Sequence, residues 1–149
     1  MSARENKMMW GRCTWILFHN IVDKIDSKEY IRLKGELFGF FTDVCMNLPC
    51  RICAGHASKF ISKVHINSIS TRELFKSMLF QFHNEVNKQT GKPPFTDGGL
   101  SGYKNCNLAT SLLNFHTYYT KRYNTVLMAG YASNAGRRLQ ISNDLYKWM

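Results

Sequence analysis

The chain has 149 residues, 44% hydrophobic and 20% charged, with a formal net charge of +10. That length suits one domain with a substantial core, and the composition excludes disordered, collagen-like and disulfide-scaffold classes. No apolar run reaches the roughly 20 residues of a membrane-spanning helix, and Met1-Ser2-Ala3-Arg4-Glu5-Asn6-Lys7 leads into no signal-peptide core, so a soluble cytosolic protein without a membrane partner is expected.

The first predicted helix covers about residues 10 to 25, where Trp10, Trp15, Phe18, Val22 and Ile25 recur at three- and four-residue spacing. The pattern restarts after Asp26-Ser27 and repeats over 29 to 46 through Leu33, Leu37, Phe40, Phe41 and Val44, until Pro49 breaks it. A third helix is expected from Cys50 or Arg51 to about Val64. Asn67 to Thr71 reads as a loop ending in a cap, with Ser70 or Thr71 as the capping residue and Glu73 in reach of a capping box. A fourth helix is predicted from about Arg72 to Gln89, stopped by Gly91-Lys92-Pro93-Pro94. Residues 95 to 102 are a glycine-rich loop, and a fifth helix follows from about Gly102 to Tyr123. Beyond Asn124 the periodicity weakens. Val126-Leu127-Met128 is a short apolar anchor, 129 to 136 a loose tail or arm, and Ile141 to Met149 a last short helix. No strand and no repeat is evident. The expectation is an all-α four-helix bundle plus a short fifth helix, with a domain over 1–123 and a C-terminal extension over 124–149.

The basic residues are spread along the chain and interrupted by acids, with tight clusters only at Lys121-Arg122 and Arg137-Arg138. Nucleic-acid binding as the main function is therefore disfavoured. Attraction to acidic proteins, or solubility, accounts for the charge equally well.

Five cysteines, Cys13, Cys45, Cys50, Cys53 and Cys106, fit no secreted framework. Cys50-Arg51-Ile52-Cys53 is a C-x-x-C at a predicted helix start. There the orphan N–H groups and the macrodipole favour a thiolate, and Arg51 adds positive charge. Redox chemistry is one reading, with Cys50 the exposed exchanging sulfur and Cys53 the inner one. Zinc is another, with Cys50, Cys53 and His56 plus His65 or His83 as ligands, although structural zinc sites usually pair two such knuckles. Haem attachment is excluded, because Ala54 follows Cys53 where a histidine is required.

His83, Asn84 and Asn87 share a face of an otherwise apolar helix, with Lys88 and Lys92 on the next turn. This is a ligand-binding polar patch or an inter-helix hydrogen-bond network. On the first helix Trp15 and His19 share a face, and Gly11 one turn earlier would let a flat group approach the backbone; core packing is the competing reading.

Together these segments resemble the Erv/ALR family of FAD-linked sulfhydryl oxidases. The resemblance rests on Trp10-Gly11-Arg12 with Trp15 and His19, on Pro49-Cys50-Arg51-Ile52-Cys53, and on His83-Asn84-Glu85-Val86-Asn87-Lys88 with Gly91-Lys92-Pro93, over about residues 8 to 110. It implies a helical bundle holding FAD, commonly a homodimer, that forms disulfides and reduces O2 to H2O2. It assigns Cys53 to the flavin face and Cys50 to substrate exchange. It implies cofactor contacts from Gly11, Arg12, Trp15, His19, His83, Asn84, Val86, Asn87 and Lys92, with His56 near the flavin and Tyr103 at the adenine end. The second, shuttle cysteine pair of many cellular members is missing here. That suggests a separate thioredoxin-like or C-x-x-C dithiol protein as electron donor, as in the compact oxidases of large cytoplasmic DNA viruses, which act in the host cytoplasm. Cys45 with Cys106 is one candidate structural pair. The alternatives are a zinc-stabilised basic nucleic-acid-binding module and a catalytically dead structural flavoprotein.

Overall fold

Six α-helices and one 3-10 turn make up the regular structure of the described residues, 3–96, 106–121 and 135–149, in the computed structural model. They are α1 (Ala3–Lys24), α2 (Ser27–Met46), α3 (Arg51–Ile61), the 3-10 turn (Ile66–Ile69), α4 (Arg72–Gln89), α5 (Leu108–Tyr119) and α6 (Ala135–Trp148). The protein is all-α, as its periodicity predicts.

Several helix ends have a local cause. Asp26 caps α2 by accepting from the Lys28 N–H at 3.3 Å. Thr71 caps α4 by accepting from the Leu74 N–H at 3.2 Å. That choice rules out the Ser70–Glu73 capping box, and Glu73 pairs with Arg72 at 3.3 Å instead. At the other end of α4, Gly91 adopts φ +72°, the Lys92 N–H reaches back to the Asn87 carbonyl at 2.8 Å and the Gly91 N–H to that of Lys88 at 3.4 Å. This is a Schellman ending, for which glycine is the least strained residue. It turns the chain so that Lys92 to Phe95 run back beside the helix.

Five expected boundaries are corrected, one of them the end of the third helix, which stops at Ile61 rather than at about Val64. The first helix starts at Ala3, seven residues before its apolar stripe. The fifth starts at Leu108, because Asn107 caps it through the Thr110 N–H at 3.1 Å, and it ends at Tyr119. The last begins at Ala135 and includes residues expected in the loose tail. The Val126-Leu127-Met128 anchor lies outside the described residues.

The core is built on Phe41 of α2, fully buried, whose ring contacts those of Phe18 on α1 and Phe75 and Phe82 on α4 at centroid separations of 4.7, 5.9 and 5.6 Å. Two tyrosines bury their rings and give their hydroxyls to backbone carbonyls. Tyr30 donates to Ile69 at 2.5 Å, and Tyr119 donates to Val44 at 3.1 Å. The first bond holds the 3-10 turn against α2; the second ties α5 to α2 near the cysteine-bearing turn. Arg72 donates to the carbonyls of Ile25 and Asp23 at 3.0 and 3.3 Å, which fixes the start of α4 against the end of α1.

The C-terminal helix packs on α2 and α5. Ile141 and Leu145 join the core cluster, and Trp148 packs at a tilt against Phe40 while its indole N–H donates to Glu36. Arg138, only 1% exposed, donates to the carbonyls of Tyr119, the last residue of α5, at 2.9 Å and of Lys121, just past its C-cap, at 3.3 Å. A cation at a helix C-terminus meets both the orphan carbonyls and the negative end of the dipole.

Candidate functional site

A cavity of about 1100 Å³ opens where α1, α2, α3 and the end of α4 meet. From α1 it receives Trp10, Gly11, Arg12, Thr14, Trp15 and Phe18, one continuous face of the helix. From α2 and the turn after it come Phe41, Cys45 and Leu48, and from α3 Ile52, Cys53, His56 and Ala57. The fourth side is Phe82, His83, Val86, Asn87 and the stretch from Gln89 to Phe95. The volume exceeds that of most drug-sized sites, and the lining is mainly apolar with a few directed polar groups.

The cysteine pair sits at the start of α3, as its spacing predicts. Cys50 is the N-cap, and its Sγ accepts from the Cys53 N–H at 3.3 Å. The two sulfurs lie 2.6 Å apart. The exposure expected of the pair is reversed. Cys50 is 1% exposed, while Cys53 is half-buried and lines the cavity. The cause is the cap itself, which folds the Cys50 side chain back over the first turn of α3. Among the described residues no three His, Cys, Asp or Glu side chains gather closely enough to hold a metal ion. Cys45 is a buried thiol whose titration burial pushes far upward, and it forms no bridge with Cys106.

Trp15 and His83 stack face to face across the α1–α4 contact, with centroids 4.0 Å apart and planes 4° apart, and Phe95 stacks on the far side of His83 at 4.1 Å. The helices touch at this three-ring stack, and the cavity opens beside it toward α3. His19 lies behind the stack, its Nε2 3.1 Å from His83 Nδ1. One ring donates and the other accepts, so the pair needs a neutral imidazole. Burial lowers His19 to about 3, helped by the charge of His83; burial and then Lys92 lower His83 to about 4.

Gly11, Arg12, Trp15, Cys53, His56, His83, Val86, Asn87 and Lys92 thus line one cavity. His19 and Asn84 do not. His19 is spent on His83, and Asn84 Oδ1 accepts from the Phe95 N–H at 2.6 Å. Asn87 also donates to the Pro93 carbonyl at 3.2 Å. The two asparagines therefore fold the 93–95 segment onto α4, so the polar face acts partly as an internal network. Tyr103 lies outside the described residues. Trp10, Thr14, Cys45 and Phe95 are wall residues that sequence reading did not assign to a site. Phe95 carried no signal, being a lone aromatic in a loop. Trp10 did, since it shares the helical face of Trp15 and Gly11.

Several features fit a flat dinucleotide: the volume, the bare backbone at Gly11, where an added Cβ meets nothing within 4 Å, the cations Arg12 and Lys92, and one orphaned donor. That donor is Nε1 of Trp10, buried with no acceptor among the described residues.

An all-α bundle with a paired-cysteine turn opening on an aromatic, ligand-sized cavity defines the class. Within it the chain belongs to the Erv1/Alr family, whose model matches residues 12–105, more than half of the chain. It is 28% identical over 87 residues to a protein of Invertebrate iridescent virus 3 named an FAD-linked sulfhydryl oxidase, covering 57% of this chain and 58% of that one. It is 28% identical over 109 residues to the FAD-linked sulfhydryl oxidase of African swine fever virus, covering 73% and 87%. It is 29% identical over 85 residues to the mitochondrial FAD-linked sulfhydryl oxidase of Saccharomyces cerevisiae, covering 57% and 44%. The chain thus spans less than two thirds of the iridovirus and yeast proteins. No solved structure is significantly similar to it. Among the described residues no helix is long and apolar enough to cross a membrane.

Proposed function

We propose that this protein is an FAD-dependent sulfhydryl oxidase that forms disulfides in protein substrates and reduces O2 to H2O2. One observation carries the reading: Cys53 lines the same cavity as Trp15, His83, Asn87 and Lys92. A thiol pair and a site for a flat, partly anionic group are thereby joined.

The exchange chemistry belongs to the cysteines. A substrate thiolate attacks Cys50 of the oxidised pair, forming a mixed disulfide and releasing Cys53 as a thiolate. The second substrate thiol then displaces Cys50. The substrate leaves as a disulfide, and the pair has gained two electrons and two protons. The Cys53 N–H beside Cys50 Sγ offers a donor to charge on that sulfur. Because Cys50 is buried, the Leu48-Pro49-Cys50 turn has to shift for a substrate to reach it. Cys53, at the cavity wall, is where electrons leave the pair. FAD, when bound, supplies a two-electron acceptor for the reduced thiols and a donor to oxygen.

Gly11, Arg12, Trp15, His56, His83, Val86, Asn87 and Lys92 would hold it, with Arg12 and Lys92 supplying positive charge suited to its phosphates; the family resemblance adds Tyr103. His19 and Asn84 would act one step removed, by fixing His83 and the 93–95 segment. A separate dithiol protein as electron donor is part of this proposal and rests on the resemblance to the compact members of the family. A homodimer acting in the cytoplasm, with residues 1–123 as the FAD-binding unit, belongs to the same proposal and rests on the family resemblance.

Oxygen uptake with dithiothreitol tests it. The purified protein is expected to be yellow, to consume oxygen and to release peroxide, while Cys53→Ser stays yellow and stops. Sustained uptake by Cys53→Ser removes that sulfur from the route, and a colourless wild type refutes the reading as a whole.

A further inference from the structure

Trp10 is the part of the cavity wall that the exchange chemistry leaves unused. The residue is 4% exposed and packs in the core cluster, yet its indole Nε1 meets no acceptor among the described residues. Buried donors in folded proteins almost always find partners, so each exception calls for a cause. Among the described residues the other buried side-chain atom without a partner, Asn20 Oδ1, lies away from the cavity, on a residue whose amide donates to Ser111 across the α1–α5 contact. Trp10 borders the cavity itself.

The neighbouring polar group cannot substitute for it. Thr14, one turn along the same face, donates its hydroxyl to the Trp10 carbonyl at 2.7 Å. Arg12 on the same stretch is exposed, so the indole N–H is the buried side-chain donor that this part of α1 offers to the cavity. Indole is a donor and never an acceptor, so whatever completes it must present an oxygen or nitrogen lone pair.

We infer that Trp10 is a cofactor-positioning residue, whose indole N–H donates a hydrogen bond to an acceptor atom of the bound flavin nucleotide. The inference rests on the oxidase reading and adds a residue to it. It also gives the cavity a way to prefer its ligand, because a flat apolar molecule of the same size leaves the donor unmet.

Trp10→Phe keeps an aromatic ring and removes the N–H. FAD affinity, measured by equilibrium dialysis, should fall roughly five- to thirtyfold, the range for loss of one buried hydrogen bond. The flavin-free variant should melt close to the flavin-free wild type, since removing an unmet donor offsets part of the packing lost with the smaller ring. A shifted flavin absorption band in Trp10→Phe places the acceptor on the ring system; weaker binding with an unshifted band places it on the ribityl, phosphate or adenosine part. The wild-type protein gives an independent reading. With ¹⁵N-labelled tryptophan, the Trp10 indole N–H signal should move and become protected from exchange when FAD is added. This decides the matter should Trp10→Phe not fold. Equal FAD affinity in wild type and variant, or an indole signal that FAD does not move, overturns the role of Trp10 and leaves the oxidase reading standing. A wild type that holds no FAD overturns both.

Discussion

Lowering the pH from 6.5 to 4.5 should cost the fold about 4 kcal/mol through two side chains. His19 and His83 are buried, 3.1 Å apart and neutral in the folded protein, held at about 3 and about 4 against an ordinary 6.5. The folded values are depressed, so the unfolded chain binds more protons throughout this window. Their contribution is complete above about pH 6.5 and is lost as the pH falls toward 4. Two protons taken up on unfolding give a slope of up to about 2.7 kcal/mol per pH unit, and integration over the window gives the figure above. Against a total of roughly 5–15 kcal/mol, that is a large share. Urea unfolding at half-unit steps of pH, on the wild type and on His19→Gln/His83→Gln, isolates the pair, because the carboxylates are common to both. The difference should narrow steadily as the pH falls. Parallel profiles would refute the idea that the pair is neutral and buried together.

Other expectations follow from single contacts. Thr71→Ala removes the cap of α4 and should lower stability by about 1 kcal/mol in denaturant unfolding, whereas Ser70→Ala should be near neutral. Phe41→Ala opens a hole among Phe18, Phe75 and Phe82 beside the cavity. It should cost about 3–5 kcal/mol and weaken flavin retention together with stability. Arg138→Met preserves bulk but leaves the Tyr119 and Lys121 carbonyls without their donor. It should cost about 1–3 kcal/mol and raise amide exchange at the end of α5.

What the sequence made legible follows the physics of each signal. The fourth helix was readable at both ends, because a hydroxyl cap precedes its apolar stripe and a glycine ends it. The start of α1 was not, since Ala3 to Met9 carry helix-forming residues without an amphipathic pattern. The start of α6 hid for a related reason: its first buried side chains are Ala135 and Arg138, and a buried arginine does not register as core. At the site, Cys50, Cys53, His83 and Asn87 announced themselves by residue type and spacing. Their relative exposure did not, because a capping sulfur turned inward depends on backbone geometry. The Trp15–His83–Phe95 stack was beyond reach, as it joins a helix, a second helix and a loop that only the fold brings together.

In the proposed reaction thiols at the start of α3 pass electrons to a flavin held between α1 and α4. A visible spectrum of the purified protein, recorded before and after anaerobic addition of a dithiol, reports on that transfer itself. The protein should be yellow, with a flavin band that bleaches in the wild type and persists in Cys53→Ser. A protein without that band, or one that bleaches equally fast in both, would contradict it.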